Sequence, residues 1–213
     1  MGRPRRYADA DILEGAKHVS AEIGPQKLTI AAVAERAGVP VGSIYHRYAS
    51  RDEILAAVWL DFIEEFQEHW LAELEAADVV RAGLAAVRYA CGWMRRHPRE
   101  ARLMLLHRRE DFASERWPAS YRRRATELAR RAGTGLMRYA SRLTGRAGAA
   151  ELRQVRFALV DVPTAALRRD AEAGVPPSAG MERIVLDTCA YALRRAARTH
   201  PIPRIRKPPK RGG

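Results

Sequence analysis

Apolar residues recur along most of this chain at intervals of three and four positions, the spacing that places them on one face of an α-helix. No run shows the strict alternation of apolar and polar residues that is typical of a half-buried strand. A first helix is predicted before Gly24 and Pro25, with Ile12, Leu13, Ala16, Val19 and Ile23 facing inward. The pattern therefore predicts an all-α protein from its first elements onward.

The later helices are separated by clear glycine and proline signals. A long helix from about Arg51 to Ala76 is predicted to link an N-terminal head to a helical body, and five further helices follow it. A proline at position 163 should kink its helix, although a tolerated proline on the surface side is the favoured interpretation. The sequence as a whole predicts about nine helices without internal repeats.

Residues 28–55 carry the most informative pattern. Ile30, Val33, Ala34 and Ala37 form one apolar stripe, and Thr29 precedes it as a helix N-cap. Gly38 can adopt the left-handed conformation that ends a helix, and it is followed by Pro40, which favours a turn. The segment therefore predicts a short helix with a sharp corner after it.

The corner leads into a second helix that is too short to be stable alone. Ile44 and Tyr48 should face inward, which requires this helix to pack on the preceding one in a helix-turn-helix. Ser50 and Glu53 form a capping box for the next helix, and Arg51 stands at its N-terminus, where a phosphate would also be favoured. The order of these features predicts a DNA-binding head.

The segment AVAERAGVPVGSIYHRYASRDEIL resembles the signature of the TetR family of transcriptional regulators, which runs roughly I-A-x-x-A-G-V-S-x-G-x-L-Y-x-H-F-x-x-K-x-x-L-L. Seven residues fit the pattern as they stand: Ala34, Ala37, Gly38, Val39, Gly42, Tyr45 and Leu55. Pro40 replaces a small polar residue, and Arg47 stands where the family has a phosphate-contacting His, with His46 one place earlier. It stays open whether Arg47 or His46 reaches the DNA backbone. By motif, the resemblance covers about a quarter of the chain.

The resemblance implies a dimeric regulator of double-stranded operator DNA. Residues expected to contact bases are Val41, Gly42 and Ser43, and those better suited to phosphates are Thr29, Tyr45, His46, Arg47 and Arg51. It also implies a homodimer through the last two long helices, at about residues 151–173 and 179–197, and an effector pocket among the helices before them. A two-fold pair of heads would bind a palindrome, and a ligand would release it.

The expected organisation is an N-terminal arm and head over residues 1–50, a body over 51–199 and a basic tail over 200–213, with the DNA-binding motif at about 29–48. Arg3, Arg5 and Arg6 form an arm that either follows phosphates or is a solvated tail. The formal charge of +13 lies mostly outside the head, since residues 1–50 carry +2, residues 51–80 carry −8 and the remainder +19. Charge is therefore no evidence for the head's function.

The candidate effector pocket is the weakest part of the sequence argument. Its candidate lining residues are Phe62, Phe66, Trp70, Tyr89, Trp93, Met104, Trp117 and Tyr121. Aromatic residues at helical spacing are more often simple core, however. A run of arginines between Arg95 and Arg124 would fit an anionic effector with an apolar body, such as an acyl thioester, although a solvated helix face is the better explanation on base rates.

Composition supports a cytoplasmic protein that is not an enzyme. With 47% hydrophobic and 30% charged residues, the chain can build a core, and it has neither an apolar run of membrane-spanning length nor a signal core. Cys91 and Cys189 fall on apolar stripes and should be buried and reduced. The six histidines lack metal-ligand spacing, so no metal site, catalytic residue or cofactor is expected.

Two other interpretations compete with the regulator. The helix pair could be an amphipathic hairpin of an unrelated all-α protein. The chain could also be a basic packaging protein that contacts nucleic acid without sequence preference, helped by five positive charges in the last 13 residues. A discrete DNA footprint would favour the regulator, and a steep salt dependence without sequence preference would favour packaging.

Overall fold

The computed structural model describes residues 9–112 and 117–199. The three helices of the head are α1 (Asp9–Ile23), α2 (Ile30–Ala37) and α3 (Val41–Tyr45), with a 3-10 turn at Pro25–Lys27 between the first two. The helices of the body are α4 (Arg51–Glu73), α5 (Val79–Arg96), α6 (Pro98–Leu106), α7 (Arg109–Phe112), α8 (Ala119–Thr144), α9 (Ala149–Arg156), α10 (Val162–Ala173) and α11 (Ala179–Thr199). These ranges contain no strand, which confirms the all-α prediction.

A π-helical segment, Phe157–Asp161, joins α9 and α10 into one continuous run. If this run is counted once and the single turn α7 is left out, the described ranges contain nine helices, as expected. Pro163 is the second residue of α10 and is buried, so its expected surface-side position is wrong. Proline donates no hydrogen bond to the preceding turn, and the ladder widens to π geometry immediately before it.

The apolar stripe of α1 packs against α2, which in turn contacts α3, and buried residues of all three helices form the core of the head. Ile12, Ala16, Val33 and Ile44 are fully or almost fully buried. Ile23, which the periodicity places inward, is 48% exposed, because it is the last residue of α1 and the chain turns away at Gly24. The three-helix head is otherwise as predicted.

Helix α4 connects the head to the far end of the body. Its apolar stripe includes Leu55, Val58, Phe62 and Trp70, which are buried, while Phe66 is partly buried against the same core. The helix contacts α1 at one end and both α5 and α8 along the body. Movement of α4 relative to the body would therefore move the head.

Polar contacts from two side chains fix the head on the body. The buried Lys17 on α1 lies 2.6 Å from Asp61 on α4 and 3.7 Å from Glu100 on α6. At the 3-10 turn, the Gln26 amide donates a hydrogen bond of 2.8 Å to the Asp111 carboxylate on α7. These contacts link the head to three different helices of the body.

Cys91 and Cys189 are completely buried free thiols, which confirms their predicted place in the core. Burial raises the pKa of each thiol to about 11. Among the described helices, none combines the length and the apolarity that a membrane span requires.

Candidate nucleic-acid interface

The caps predicted around α2 are present. Thr29 accepts a hydrogen bond of 3.1 Å from the Ala32 amide, and Gly38 ends the helix in the left-handed region at a φ of 66°. Pro40, with extended backbone, is the N-cap of α3. The corner between the two helices therefore follows from a side-chain cap, a glycine and a proline, in the predicted order.

Helix α3 is held in place by the apolar side chains on its inner face and just after it. Ile44 and Tyr48 are buried in the head's core, as predicted, although α3 itself ends at Tyr45 rather than at Tyr48. Five residues cannot form a stable helix in isolation, so the position of α3 depends on this burial. Its orientation is consequently set by the rest of the head.

The opposite side of α3 is open. Val41 is 43% exposed and Tyr45 56% exposed, and Gly42 and His46 are exposed beside them, while Ser43 is partly buried. A Cβ added at Gly42 would meet no atom within 4 Å, so the fold does not require a glycine there. The head thus presents two large side chains around a position without a side chain, a surface that a DNA groove can approach closely.

The neighbouring His46 and Arg47 have different environments. The Arg47 guanidinium is bound to Asp9 on α1 and donates a hydrogen bond of 3.0 Å to the Ser43 carbonyl. The His46 side chain is exposed at the C-terminal end of α3. An approaching phosphate would meet His46 directly, whereas Arg47 would first have to exchange its carboxylate partner.

Arg51 is bound to the backbone of the head. Its Nε donates to the Leu28 carbonyl at 2.6 Å, and one terminal nitrogen donates to the Pro25 and Gln26 carbonyls at 2.8 and 2.6 Å. The guanidinium thereby holds the 3-10 turn against the start of α4. Its predicted phosphate contact stays a prediction, and its structural function was not apparent from the sequence because the three carbonyls lie more than 20 residues away.

The capping box at the start of α4 is present with one change. The Ser50 hydroxyl accepts a hydrogen bond of 3.2 Å from the Glu53 amide, as expected. The Glu53 carboxylate accepts from the Ala49 amide at 2.8 Å rather than from that of Ser50. The box therefore also fixes the loop that follows α3, and with it the distance between α3 and α4.

Most of the predicted pocket residues are packed against one another. Phe62, Trp70, Trp93 and Trp117 are buried in the core. Phe66 lies edge-on to Trp93, with ring centroids 5.0 Å apart. Tyr89, Met104 and Tyr121 are partly buried against the same core. This arrangement favours the interpretation of these rings as core, and the pocket remains a prediction.

The arginines that favoured an anionic effector are divided among several sites. Arg95 binds Glu182 and the Pro177 carbonyl, and Arg102 donates to carbonyls at the end of α10. Arg124 binds Glu64 across α4 and α8. Arg3, Arg5 and Arg6, the tail over 200–213 and Arg116 lie outside the described residues. No group of three or more His, Cys, Asp or Glu side chains that could hold a metal ion occurs in the described ranges.

Two important residues were missed in the sequence. Lys17 is a buried cation between α1, α4 and α6. The sequence feature that indicates this position is a lysine inside the apolar stripe of α1. Burial alone would lower the pKa of Lys17, but hydrogen bonds to Asp61 and Glu14 outweigh this effect and raise it. Gly15 allows α1 and α2 to approach closely. The sequence feature that indicates this close approach is a glycine in the middle of a predicted helix.

Helix α3 is anchored by its inner side and exposed on its outer side, and it follows a capped helix and a tight corner. This arrangement defines a helix-turn-helix protein. Residues 12–58 match the sequence model of the family described as bacterial regulatory proteins, tetR family. The resemblance to TetR-family transcriptional regulators stated from the motif is therefore confirmed over these residues. No curated protein sequence is significantly similar to it.

Solved structures share the whole fold. The fatty acid degradation regulator FadR from Bacillus halodurans is 18% identical, with a TM-score of 0.64 over 91% of this chain and 97% of its own. The transcriptional regulator FadR from Bacillus subtilis in complex with stearoyl-CoA is 15% identical, with a TM-score of 0.63 over 86% and 98% of the two chains. A TetR-like transcriptional regulator from Rhodococcus sp. RHA1 is 16% identical, with a TM-score of 0.62 over 92% and 96%. At these identities the likeness establishes the fold.

Proposed function

We propose that this protein is a cytoplasmic, ligand-responsive repressor that binds a palindromic operator as a homodimer. The head over residues 1–50 would bind DNA, and the body over 51–199 would bind the effector and a second copy. The outer side of α3 carries the proposal, because it exposes Val41 and Tyr45 around Gly42, a glycine that the internal packing does not require. In this proposal Val41, Gly42 and Ser43 meet bases, and Thr29, Tyr45 and His46 meet phosphates.

Apolar exposure supports dimerisation through the last helices. Ile184 is 62% and Tyr191 70% exposed on α11, and Phe157 is 54% exposed in the π-helical segment. Ile184 and Tyr191 are seven residues apart and share one helix face. Large exposed apolar side chains on adjacent elements are typical of a protein interface. One α3 helix covers only a few base pairs. A dimer would therefore also supply a second α3 helix for the other half of the operator.

The effector of the proposed repressor is an anionic small molecule with an apolar part. The FadR protein that was solved with stearoyl-CoA shares this fold, which supports a ligand in the body. The apolar cleft beside Met94, Leu105 and Leu167 has a volume of only about 20 Å³, too small for an acyl chain. An acyl chain would therefore enter this cleft only if the cleft widened.

Selection of genomic fragments by the purified protein tests the central proposal. We expect enrichment of a few fragments that share a palindrome and are protected in a footprint. Retention of fragments without sequence preference, with affinity that falls steeply as salt rises, would instead identify the packaging function. Sedimentation of the wild-type protein and the Ile184→Glu variant tests the dimer, since a charge on the proposed interface should yield monomers that retain the helical content.

A further inference from the structure

Asp9 at the start of α1 and Arg47 just after α3 form an ion pair within the head. The Asp9 side chain is 75% exposed and the Arg47 side chain 28% exposed. The Arg47 guanidinium also donates a hydrogen bond of 3.0 Å to the Ser43 carbonyl, which keeps it at the C-terminal end of α3. The pair therefore lies at the end of the helix that is proposed to meet DNA.

Positive charge is scarce around α3. Arg47 is the only arginine or lysine in residues 38–50, the segment that contains this helix. The next cation along the chain, Arg51, is bound to three backbone carbonyls. Residues 1–50 together carry a net charge of only +2. Because the Asp9 carboxylate neutralises Arg47 in the free protein, the end of α3 keeps little of the charge that attracts a phosphate backbone.

An exposed ion pair of this kind is weak enough to be exchanged. Solvent screening and the loss of side-chain entropy limit its strength, whereas a phosphate offers a guanidinium two parallel charge-assisted hydrogen bonds. His46, the residue before Arg47, is exposed and has no ion-pair partner within the described part of the chain. A phosphate at the end of α3 would therefore meet His46 freely, and it would meet Arg47 only in exchange for Asp9.

We propose that Asp9 competes with DNA phosphate for Arg47 and thereby sets the operator affinity of the head. In the free protein the Asp9 carboxylate binds the guanidinium. In the complex a phosphate takes its place, and Asp9 is left exposed beside a polyanion. Operator binding is consequently weaker, and less dependent on salt, than the cations of the head would allow. This inference rests on the proposed function, since it concerns the same DNA-binding surface.

The Asp9→Asn variant distinguishes competition from a purely structural role of the pair. The substitution keeps the size of the side chain and removes its charge. We expect retardation assays to show about two- to fivefold tighter binding of the selected operator fragment, the range that a weak exposed pair can supply. If the pair instead holds α3 in position on α1, its loss weakens binding. Weaker or unchanged binding by Asp9→Asn would therefore overturn the proposal.

A double-mutant cycle with Arg47→Gln separates the exchange from a general change of charge. The gain in affinity from Asp9→Asn should disappear in the Arg47→Gln background, because no guanidinium is then released. Glu35→Gln is the matched control, since it removes the same charge from an exposed position of α2. Its effect on affinity should be equal in both backgrounds. An Asp9→Asn gain that is also equal in both would show that Asp9 acts only through overall charge, which would overturn the exchange.

The salt dependence of binding supplies a second measurement. A plot of the logarithm of affinity against the logarithm of salt concentration should fall more steeply for Asp9→Asn than for the wild type. The slope should differ by up to about 0.9, the contribution of one phosphate contact to duplex DNA. An equal or shallower slope for Asp9→Asn would contradict the release of Arg47 toward a phosphate.

Measuring the same cycle on a duplex of random sequence separates this inference from the proposed function. Operator selection together with an Asp9→Asn gain that requires Arg47 supports both. If no operator is selected but the gain appears on the random duplex, the competition stands and the repressor is refuted. Operator selection without the gain refutes the competition alone, and the absence of both selection and gain refutes both.

Discussion

Gly15 and Ala37 meet where α1 crosses α2: a Cβ added at Gly15 would lie 3.0 Å from the Ala37 Cβ and 3.3 Å from the Val33 carbonyl oxygen. The backbone atoms at this crossing cannot move aside as a flexible side chain could. The position of α2, and through it that of α3, therefore depends on the absence of a side chain at residue 15.

We expect Gly15→Ala to destabilise the protein by about 1–3 kcal/mol, the usual cost of overpacking a tightly packed contact, despite the better helix propensity of alanine. Urea unfolding followed by circular dichroism measures the change. Gly42→Ala is the matched control, since the same methyl group would enter open space there. Equal stability of the two variants would show that α1 and α2 can separate without cost.

Gly42→Ala itself should weaken operator binding at least about tenfold while leaving stability equal or raising it by up to about 1 kcal/mol. Alanine is the better helix former, and nothing in the head opposes its methyl group. In the complex with DNA, however, the same methyl group would collide with an approaching base edge. Retardation of the selected operator fragment, beside a melting curve, checks both parts. Unchanged affinity would place the DNA contact elsewhere on α3.

The local elements of the head could be predicted because each depends on neighbouring residues. Thr29, Gly38 and Ser50 act within a few positions of their own helix ends, so sequence spacing was sufficient. The partners of Arg51 and Gln26, in contrast, are brought together by folding over 23 and 85 residues. Phe62 and Trp93 could be named as candidate pocket residues, but helical spacing could not distinguish a packed ring from a cavity wall, because both kinds of ring lie among apolar positions.

Tyr45→Ala and Arg51→Ala should both weaken operator binding, for different reasons. Tyr45 is exposed on α3, so its removal should leave the melting temperature unchanged. Arg51 holds three backbone carbonyls, so its removal should also destabilise the head, by about 1–3 kcal/mol. Thermal melting and retardation of each variant separate the two effects. A stable Arg51→Ala protein with lost affinity would instead favour a direct phosphate contact, and sedimentation should find the dimer intact in both.

Lys17→Met should destabilise the junction between head and body by about 1–3 kcal/mol. The methionine keeps most of the apolar stem but leaves Asp61 and Glu100 without their shared cation. Because the folded pKa of Lys17 is raised, its contribution is fully present below the unfolded lysine value of 10.5 and is lost only at higher pH. Urea unfolding at neutral pH measures the change. The Lys27→Met variant, at an exposed position, should unfold like the wild type.

The buried thiols should make the protein sensitive to alkali. Burial raises the folded pKa of Cys91 and Cys189 from 9.0 to about 11, so folding favours the protonated thiols. Their contribution to stability is fully present below the unfolded value of 9.0 and is lost as the pH rises toward about 11. The free energy of unfolding should fall more steeply with pH for the wild type than for the Cys91→Ala/Cys189→Ala double variant. This variant lacks both thiols but retains the tyrosines and lysines that titrate in the same pH range. Identical slopes would show that the thiols ionise without unfolding, and rapid maleimide labelling of the native protein at neutral pH would show that they are accessible.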